Sequence, residues 1–247
     1  MSDWEASAEA WITSMGDRGD RSREHVLDPP MRALAAGARR ALDVGCGEGR
    51  FCRALRAEGI EAVGLDPTEA LLREARRRDP SGTYVSGRAE ALPFEAGSFD
   101  LVVSYLSLID IAGYRAAITE MTRVMTPGGR LLVANLQPWT TATPRNWPEG
   151  KGGWITVGTE RRYYAFDDYM EERSGWAAWR GIRVLNHHRP LSAYFSAFLG
   201  AGLELRAFEE PPCLGGDPDF ADKYARVPWF HVMLWQKPDV MPVETGR

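Results

Sequence analysis

Residues Ala41 to Leu55 read ALDVGCGEGRFCRAL. An apolar run carrying Asp43 passes into three alternate glycines, Gly45, Gly47 and Gly49, and then into a run with apolar residues at helical spacing. The first part has strand character and the last helix character, so the glycines occupy a strand-to-helix turn. Glycine costs backbone entropy wherever it sits, and three at one turn imply that something approaches the backbone closely.

Outward from this turn the pattern alternates. RALDVG (40–45) is the first strand, and GRFCRALRAEG (49–59) a helix stopped by Gly59. EAVGLD (61–66) is a second strand, followed by the helix TEALLREARRRD (68–79) with Thr68 at its N-cap and Asp79–Pro80 as its stop. TYVSG (83–87) and SFDLVVSYL (98–106) are strands three and four. GYRAAITEMTRVM (113–125) is a helix with Tyr114, Ala117, Ile118, Met121 and Val124 on one stripe, and GRLLVANL (129–136) is strand five. This alternation predicts βαβ units and a parallel sheet covered on both faces.

Both flanks differ. Trp4, Ala8, Trp11, Ile12 and Met15 predict an amphipathic helix over 3–15 with Asp3 at its N-cap. GDRGDRSREHVLDPP (16–30), with Gly16, Gly19 and Pro29–Pro30, reads as loop ahead of a short helix over 31–36. Residues 137–190 carry five of the nine tryptophans (Trp139, Trp147, Trp154, Trp176, Trp179) and the string RRYYAFDDYM, and read as an insertion with antiparallel strands of its own. PLSAYFSAFLGAGL (190–203) restores a helix. ELRAFEE (204–210) and WFHVMLWQK (229–237) are two last strands joined by a long Pro- and Gly-rich loop, and the last ten residues are expected to fray.

The composition excludes several function classes. The 247 residues carry a net charge of −4 with a pI near 5.7, which opposes nucleic-acid binding by bulk electrostatics. Three lysines stand against 27 arginines, a compositional bias rather than a phosphate-binding design, and the RRR at Arg76–Arg78 reads as a solvated helix end. The acidic start MSDWEASAEAWITSM has no basic, apolar leader pattern, and no apolar run reaches membrane-spanning length, so a cytoplasmic chain without membrane contact is expected. Cys46, Cys52 and Cys213 lack CxxC spacing, and no His/Cys cluster has zinc spacing, so neither disulfides nor a metal is expected.

A glycine turn between strand and helix aims backbone N–H groups at a ligand. The dinucleotide fingerprint fails here because Arg50 stands where its last glycine belongs. Asp43 would repel a pyrophosphate but suits the amino group of a zwitterion, while Asp66, at the end of the second strand, can accept from both hydroxyls of a ribose. The ligand is therefore expected to be a nucleoside with a cationic, amino-acid-like end.

Four blocks in order, LDVGCGEG, VGLDPT, GRAEALPFEAGSFDLVVS and EMTRVMTPGGRLLVANL, span Arg39 to Leu136 and resemble the class I S-adenosylmethionine-dependent methyltransferases, of the small-molecule type similar to the ubiquinone/menaquinone-biosynthesis enzymes. The resemblance implies a Rossmann-like α/β fold. This has a seven-stranded, mostly parallel sheet with helices on both faces, an antiparallel last strand and a β-rich cap inserted after strand five. It divides the chain into an N-terminal lid (1–28), a cofactor-binding core (29–136), a substrate cap (137–190) and a C-terminal helix with the last two strands (191–247). It also implies S-adenosylmethionine as cofactor. Asp43, Gly45, Cys46, Gly47 and Gly49 would wrap its methionine portion, Asp66 its ribose, and Pro67 and Ala89 its adenine. Arg88 stands where an acid often takes the adenine amino group, leaving Glu90 or a backbone carbonyl for that contact. Ser104 and Tyr105 match the exit of strand four, where donor meets acceptor.

The expected acceptor is a small, aromatic molecule methylated on oxygen, with the chain a monomer or homodimer. A base matters only where the acceptor must lose a proton. Asp110 in SLIDI is the first candidate, its alternative being a cap for the helix after Gly113. His187 in NHHRPLS is the second, whereas His188 reads as structural. Tyr105, Tyr163, Tyr164 and Tyr194 line a pocket or belong to the core, and the aromatic insertion is a cap or a satellite core. Two other classes stay open: a noncatalytic S-adenosylmethionine-binding regulatory subunit, and a methyltransferase acting on nitrogen or carbon of a small molecule or on a macromolecule. The intact glycine turn and aromatic insertion count against the first. The missing basic stripe, and the lack of an Asn-Pro-Pro-Tyr-type motif after strand four, count against the second.

Overall fold

The structure, a computed structural model, describes residues 3–142 and 153–239; Trp147 and the end expected to fray beyond Asp239 lie outside the described residues. The chain begins with α1 (Asp3–Met15), a π-helical turn (Arg23–Leu27) and α2 (Asp28–Ala35). The core follows as β1 (Arg40–Val44), α3 (Arg50–Ala57), β2 (Glu61–Asp66), α4 (Glu69–Arg78), β3 (Thr83–Ser86), β4 (Phe99–Tyr105), α5 (Tyr114–Val124) and β5 (Met125–Leu136). After α6 (Pro138–Thr141) come β6 (Trp154–Val157), β7 (Glu160–Tyr164), β8 (Arg173–Trp179) and β9 (Ile182–His188). The chain closes with α7 (Leu191–Gly200), β10 (Glu204–Glu209), α8 (Pro218–Arg226) and β11 (Phe230–Gln236).

One seven-stranded sheet runs β10-β11-β5-β4-β1-β2-β3, with β11 alone reversed and antiparallel to both neighbours. Alternate residues divide the core between its faces. Leu42, Val44, Val102, Leu131 and Val133 pack toward α5 and α7, while Ala41, Leu101, Val103, Leu132 and Ala134 pack toward α2 and α3. That two-faced burial is what a parallel sheet requires. The chain adds strands outward from β1 to β3 and then returns to place β4 on the other side of β1. The turns after β1 and β4 therefore meet at the reversal, where such sheets hold ligands.

Two loop readings are corrected. Most of the expected 16–30 loop is helical, because Pro29 and Pro30 fall in the first turn of α2, where a missing N–H costs nothing. Asp20 starts this coil by accepting from the Ser22 hydroxyl (2.6 Å), Arg23 N (2.9 Å) and Arg23 Nη1 (2.7 Å), and Val26, Leu27, Met31 and Ala35 bury its apolar face. The loop between the last two strands holds α8, whose N-cap Asp217 accepts from Phe220 N at 2.9 Å. Asp3 is the first residue of α1 and accepts from Leu185 N (2.8 Å) on β9, so it bridges to the insertion. The insertion itself forms two antiparallel hairpins, β6–β7 and β8–β9. Among the described residues no helix is long and apolar enough to cross a membrane, and no group of His, Cys, Asp or Glu is placed to hold a metal ion.

Candidate functional site

The glycine turn lies between β1 and α3, and its three glycines serve different purposes. All have left-handed backbones, with φ of 79°, 55° and 76° at Gly45, Gly47 and Gly49. A Cβ at Gly45 would stand 2.4 Å from Ser107 Cβ, and one at Gly49 2.6 Å from the Tyr84 ring, so these two admit protein side chains. Only Gly47 opens outward, with Trp11 Nε1 at 3.7 Å the nearest atom beyond its chain neighbours. Of the three, Gly47 alone leaves its backbone open to a close approach from outside.

Three carboxylates surround the turn. Asp43 is 1% exposed; its Oδ2 accepts from the Cys52 thiol at 3.5 Å while Oδ1 has no partner, and burial pushes its pKa up to about 7. Asp66 accepts from Thr68 N (2.8 Å), Gly47 N (3.0 Å) and the Thr68 side chain, and burial raises its pKa as well. Glu48, which the sequence reading passed over, is 2% exposed; it accepts from Trp11 Nε1 at 3.2 Å through Oε2, and its Oε1 lies in an ion pair 3.8 Å from Arg53 Nη2. An acid among turn glycines was the available signal. The orphaned Asp43 Oδ1 in a buried, acidic turn calls for a cation, so these residues fit a sulfonium nucleoside with an amino-acid end.

The other candidates divide. Cys46 is buried and its thiol pushed well up, first by its hydrogen bond with Cys52 and then by burial, so it packs rather than reacts. Pro67 is exposed beside Asp66, and Ala89 is buried in the core. Arg88 extends into solvent and pairs with Glu90 at 3.1 Å, so the two charges satisfy each other. Ser104 is corrected to a structural role: it is fully buried, and its hydroxyl meets Ser107 Oγ (2.8 Å), which donates to Val44 O (2.6 Å) and ties β4 to β1. Tyr105 is likewise engaged, donating to Asp28 Oδ1 (2.7 Å) beside the bidentate Arg50–Asp28 pair. Leu106, next in the chain, has a left-handed backbone (φ 57°), a strained conformation for leucine at the sheet's reversal point.

Asp110 follows on the same loop. The residue is half-buried but its carboxyl group is enclosed, and burial pushes its pKa up to about 8, with the charges of Asp66 and Asp3 adding to the rise. It accepts from Asn186 Nδ2 at 2.5 Å and from the Trp4 side chain. The capping alternative fails, since Gly113 is the N-cap of α5 and receives no side-chain cap bond. His187 sets its Nδ1 2.8 Å from Ser174 Oγ, and its backbone N donates to Ile109 O at 2.7 Å; burial and then Arg189 lower its pKa. His188 is structural, engaged with Thr141 and with Tyr169 O, each at 2.8 Å. Arg189, 3% exposed, had no signal in the sequence; it donates to the carbonyls of Leu108, Ile111 and Ala112 and so fixes the Asp110 loop.

Two further elements enclose this end of the sheet. Helix α1 crosses the glycine turn, bonded through Trp11 to Glu48 and through Ser7 to both Arg183 N and O of β9 at 3.1 Å. The insertion and the α8–β11 junction surround a cavity of about 400 Å³ lined by Trp139, Trp154, Tyr163, Tyr164, Phe166 and Pro228, among others. Trp139 and Tyr164 meet edge to face at 4.6 Å, with Trp229 5.4 Å from the former and 5.7 Å from the latter. Trp176 and Trp179 are exposed on β8 instead, and Tyr194 is core.

Residues 42–133 match a family model described as a methyltransferase domain. A malonyl-[acyl-carrier protein] O-methyltransferase of Salmonella typhimurium is 33% identical over 165 residues, which are 67% of this chain and 62% of that protein. A demethylmenaquinone methyltransferase of Beutenbergia cavernae is 39% identical over 110 residues, 42% of this chain and 46% of that protein. The chain thus spans less than two thirds of either relative's length. An S-adenosylmethionine-dependent methyltransferase from Mesorhizobium loti has the same fold, with a TM-score of 0.71, 26% identity and coverage of 90% of this chain and 100% of that one. Sheet order, glycine turn and these similarities agree: the chain belongs to the class I S-adenosylmethionine-dependent methyltransferases, with S-adenosylmethionine as its cofactor.

Proposed function

We propose that this chain methylates a hydroxyl oxygen of a small, flat, largely apolar and aromatic acceptor. The observation that carries this reading is the aromatic-walled cavity of about 400 Å³ between the insertion and the α8–β11 junction. That volume suits a ligand of one or two rings, and aromatic walls favour flat apolar surfaces. Bound S-adenosylmethionine supplies an activated methyl group on a cationic sulfur. Asp43 and the open face at Gly47 would hold its amino-acid end, Asp66 its ribose hydroxyls, and Pro67 and Ala89 would border its adenine. Helix α1 would act as a lid that keeps water from the reaction, since Trp11 already lies over Gly47.

Asp110 would take the proton from the acceptor hydroxyl. A carboxyl group with a pKa of about 8 is a far stronger base than an ordinary carboxylate. Asn186 orients it, and Arg189 fixes its loop. The test is release of S-adenosylhomocysteine across phenols, carboxylic acids and amines, followed by the mass and connectivity of each product. An O-methylated aromatic product supports the reading, and methylation on nitrogen or carbon overturns the choice of oxygen. Tight S-adenosylhomocysteine binding with no turnover on any class would favour a noncatalytic subunit.

A further inference from the structure

Arg162 and Arg226 line the aromatic cavity, and Arg161 and Lys223 stand beside it on neighbouring rings. The Arg226 guanidinium lies 4.9 Å from the Trp154 ring and the Arg161 guanidinium 5.8 Å from it, while Lys223 Nζ stands 4.1 Å from the Trp229 ring and 5.2 Å from that of Tyr224. Among the described residues none of these three cations has a carboxylate within ion-pairing distance; only Arg162 does, at 3.1 Å from Glu160. Arg226 instead donates to the carbonyls of Arg161 (2.8 Å) and Arg162 (3.1 Å), which neutralises no charge. Burial and then the charge of Arg161 lower the pKa of Lys223, against a smaller rise from the charge of Asp20.

Several arginines of this acidic chain pair with acids, as at Arg50–Asp28, Arg78–Glu74 and Arg123–Glu120, while Arg130 and Arg189 are held by backbone carbonyls. Here three cations without an ion-paired acid among the described residues stand around one set of aromatic rings. Arg161 and Arg226 are exposed and Lys223 is half-buried, so the repulsion among the like charges falls chiefly on Lys223. An anion seated at the rim would relieve it, and the rings beneath would take a flat apolar body.

Taking the cavity as the acceptor site, we infer that the acceptor is an aromatic carboxylate, its ring against Trp139, Trp154 and Tyr164 and its anionic group toward Lys223 and Arg161. The carboxylate is a handle for recognition, separate from the oxygen that is methylated. Lys223 lies on α8, outside the insertion, so acceptor choice depends on both segments.

Calorimetry on the full chain saturated with S-adenosylhomocysteine tests this, using 2-naphthoate and 2-naphthamide as probes alike in size and different in charge. The wild type should bind 2-naphthoate about tenfold more tightly, the worth of one charged contact at a partly buried site. Lys223→Met and Arg161→Gln should each remove most of that preference. Both should leave 2-naphthamide and S-adenosylhomocysteine affinities unchanged, which also shows that the variants are folded. Equal binding of the two probes by the wild type overturns the anionic acceptor and leaves the cavity as an acceptor site. Binding of neither probe, with S-adenosylhomocysteine still bound, overturns the acceptor site itself.

Discussion

Replacing Asp43 by Asn should stabilise the free protein and weaken its hold on the cofactor. The Asp43 carboxyl rises from 3.8 to about 7 because it is buried with one oxygen unpartnered. Each pH unit between those values is worth about 1.4 kcal/mol, so ionising Asp43 inside the free fold costs on the order of 4 kcal/mol. The sign follows from the raised pKa: the folded chain holds this proton more tightly than the unfolded one. The contribution of Asp43 to stability is thus fully present below pH 3.8 and is lost as the pH rises to about 7. Asparagine never ionises, although its buried amide leaves polar atoms unpaired at about 1–3 kcal/mol. The advantage of Asp43→Asn should therefore be absent near pH 4 and reach about 1–3 kcal/mol by pH 8, read from urea unfolding at several pH values. S-adenosylhomocysteine carries an ammonium that needs the ionised carboxylate. Wild-type affinity should then fall about tenfold per pH unit below 7, and affinity of the variant should be low and flat. A wild-type affinity that does not change from pH 5 to 8, or an Asp43→Asn variant that binds like wild type, would refute the reasoning.

Asp66→Ala removes the carboxylate proposed to hold the ribose hydroxyls and should cost about 2–4 kcal/mol of S-adenosylhomocysteine affinity by calorimetry. Gly47→Val should abolish that binding with a loss of about 1–2 kcal/mol of stability from its left-handed backbone. Gly45→Val, whose Cβ would stand 2.4 Å from Ser107 Cβ, should instead be recovered largely unfolded; equal unfolding of both variants would contradict the division of the glycines. If Asp110 takes the proton, turnover should rise with pH to a plateau above about 8, and Asp110→Asn should lose that limb of the profile. Limited proteolysis should cut between Gly16 and Arg23 in the free chain and be slowed by S-adenosylhomocysteine; equal cleavage in both states would rule out a lid.

The α/β core could be read because its signals are local. Burial on both faces writes continuous apolar strands, and glycine, Asp–Pro and Thr–Pro–Gly–Gly steps mark the helix ends. The same local logic misread 16–30 and 210–229, where Pro29, Pro30 and Pro218 look like breakers but sit in first helical turns behind Asp20 and Asp217. Roles set by tertiary contact were out of reach. Ser104 matches a motif by position, yet it is sealed under Ser107; Arg189 and Asn186 reach the Asp110 loop from some 80 positions along the chain.

Asp43, Glu48 and Asp66 crowd three acids into one buried turn, an arrangement that costs the free protein stability. Helix α1 is held to that same turn through Trp11 and Glu48, to β9 through Asp3 and Ser7, and to Asp110 through Trp4. A cation bound among the acids relieves the repulsion between Asp43 and Asp66. If α1 is the proposed lid, cofactor binding and its seating over Gly47 favour each other by the same free energy, whichever comes first. The helix also touches Asp110 and the β8–β9 hairpin, so the one event that satisfies the buried acids completes the surroundings of the proposed base. On the proposed reading, the instability stored in the glycine turn is a reason for the site to close only when the donor is present.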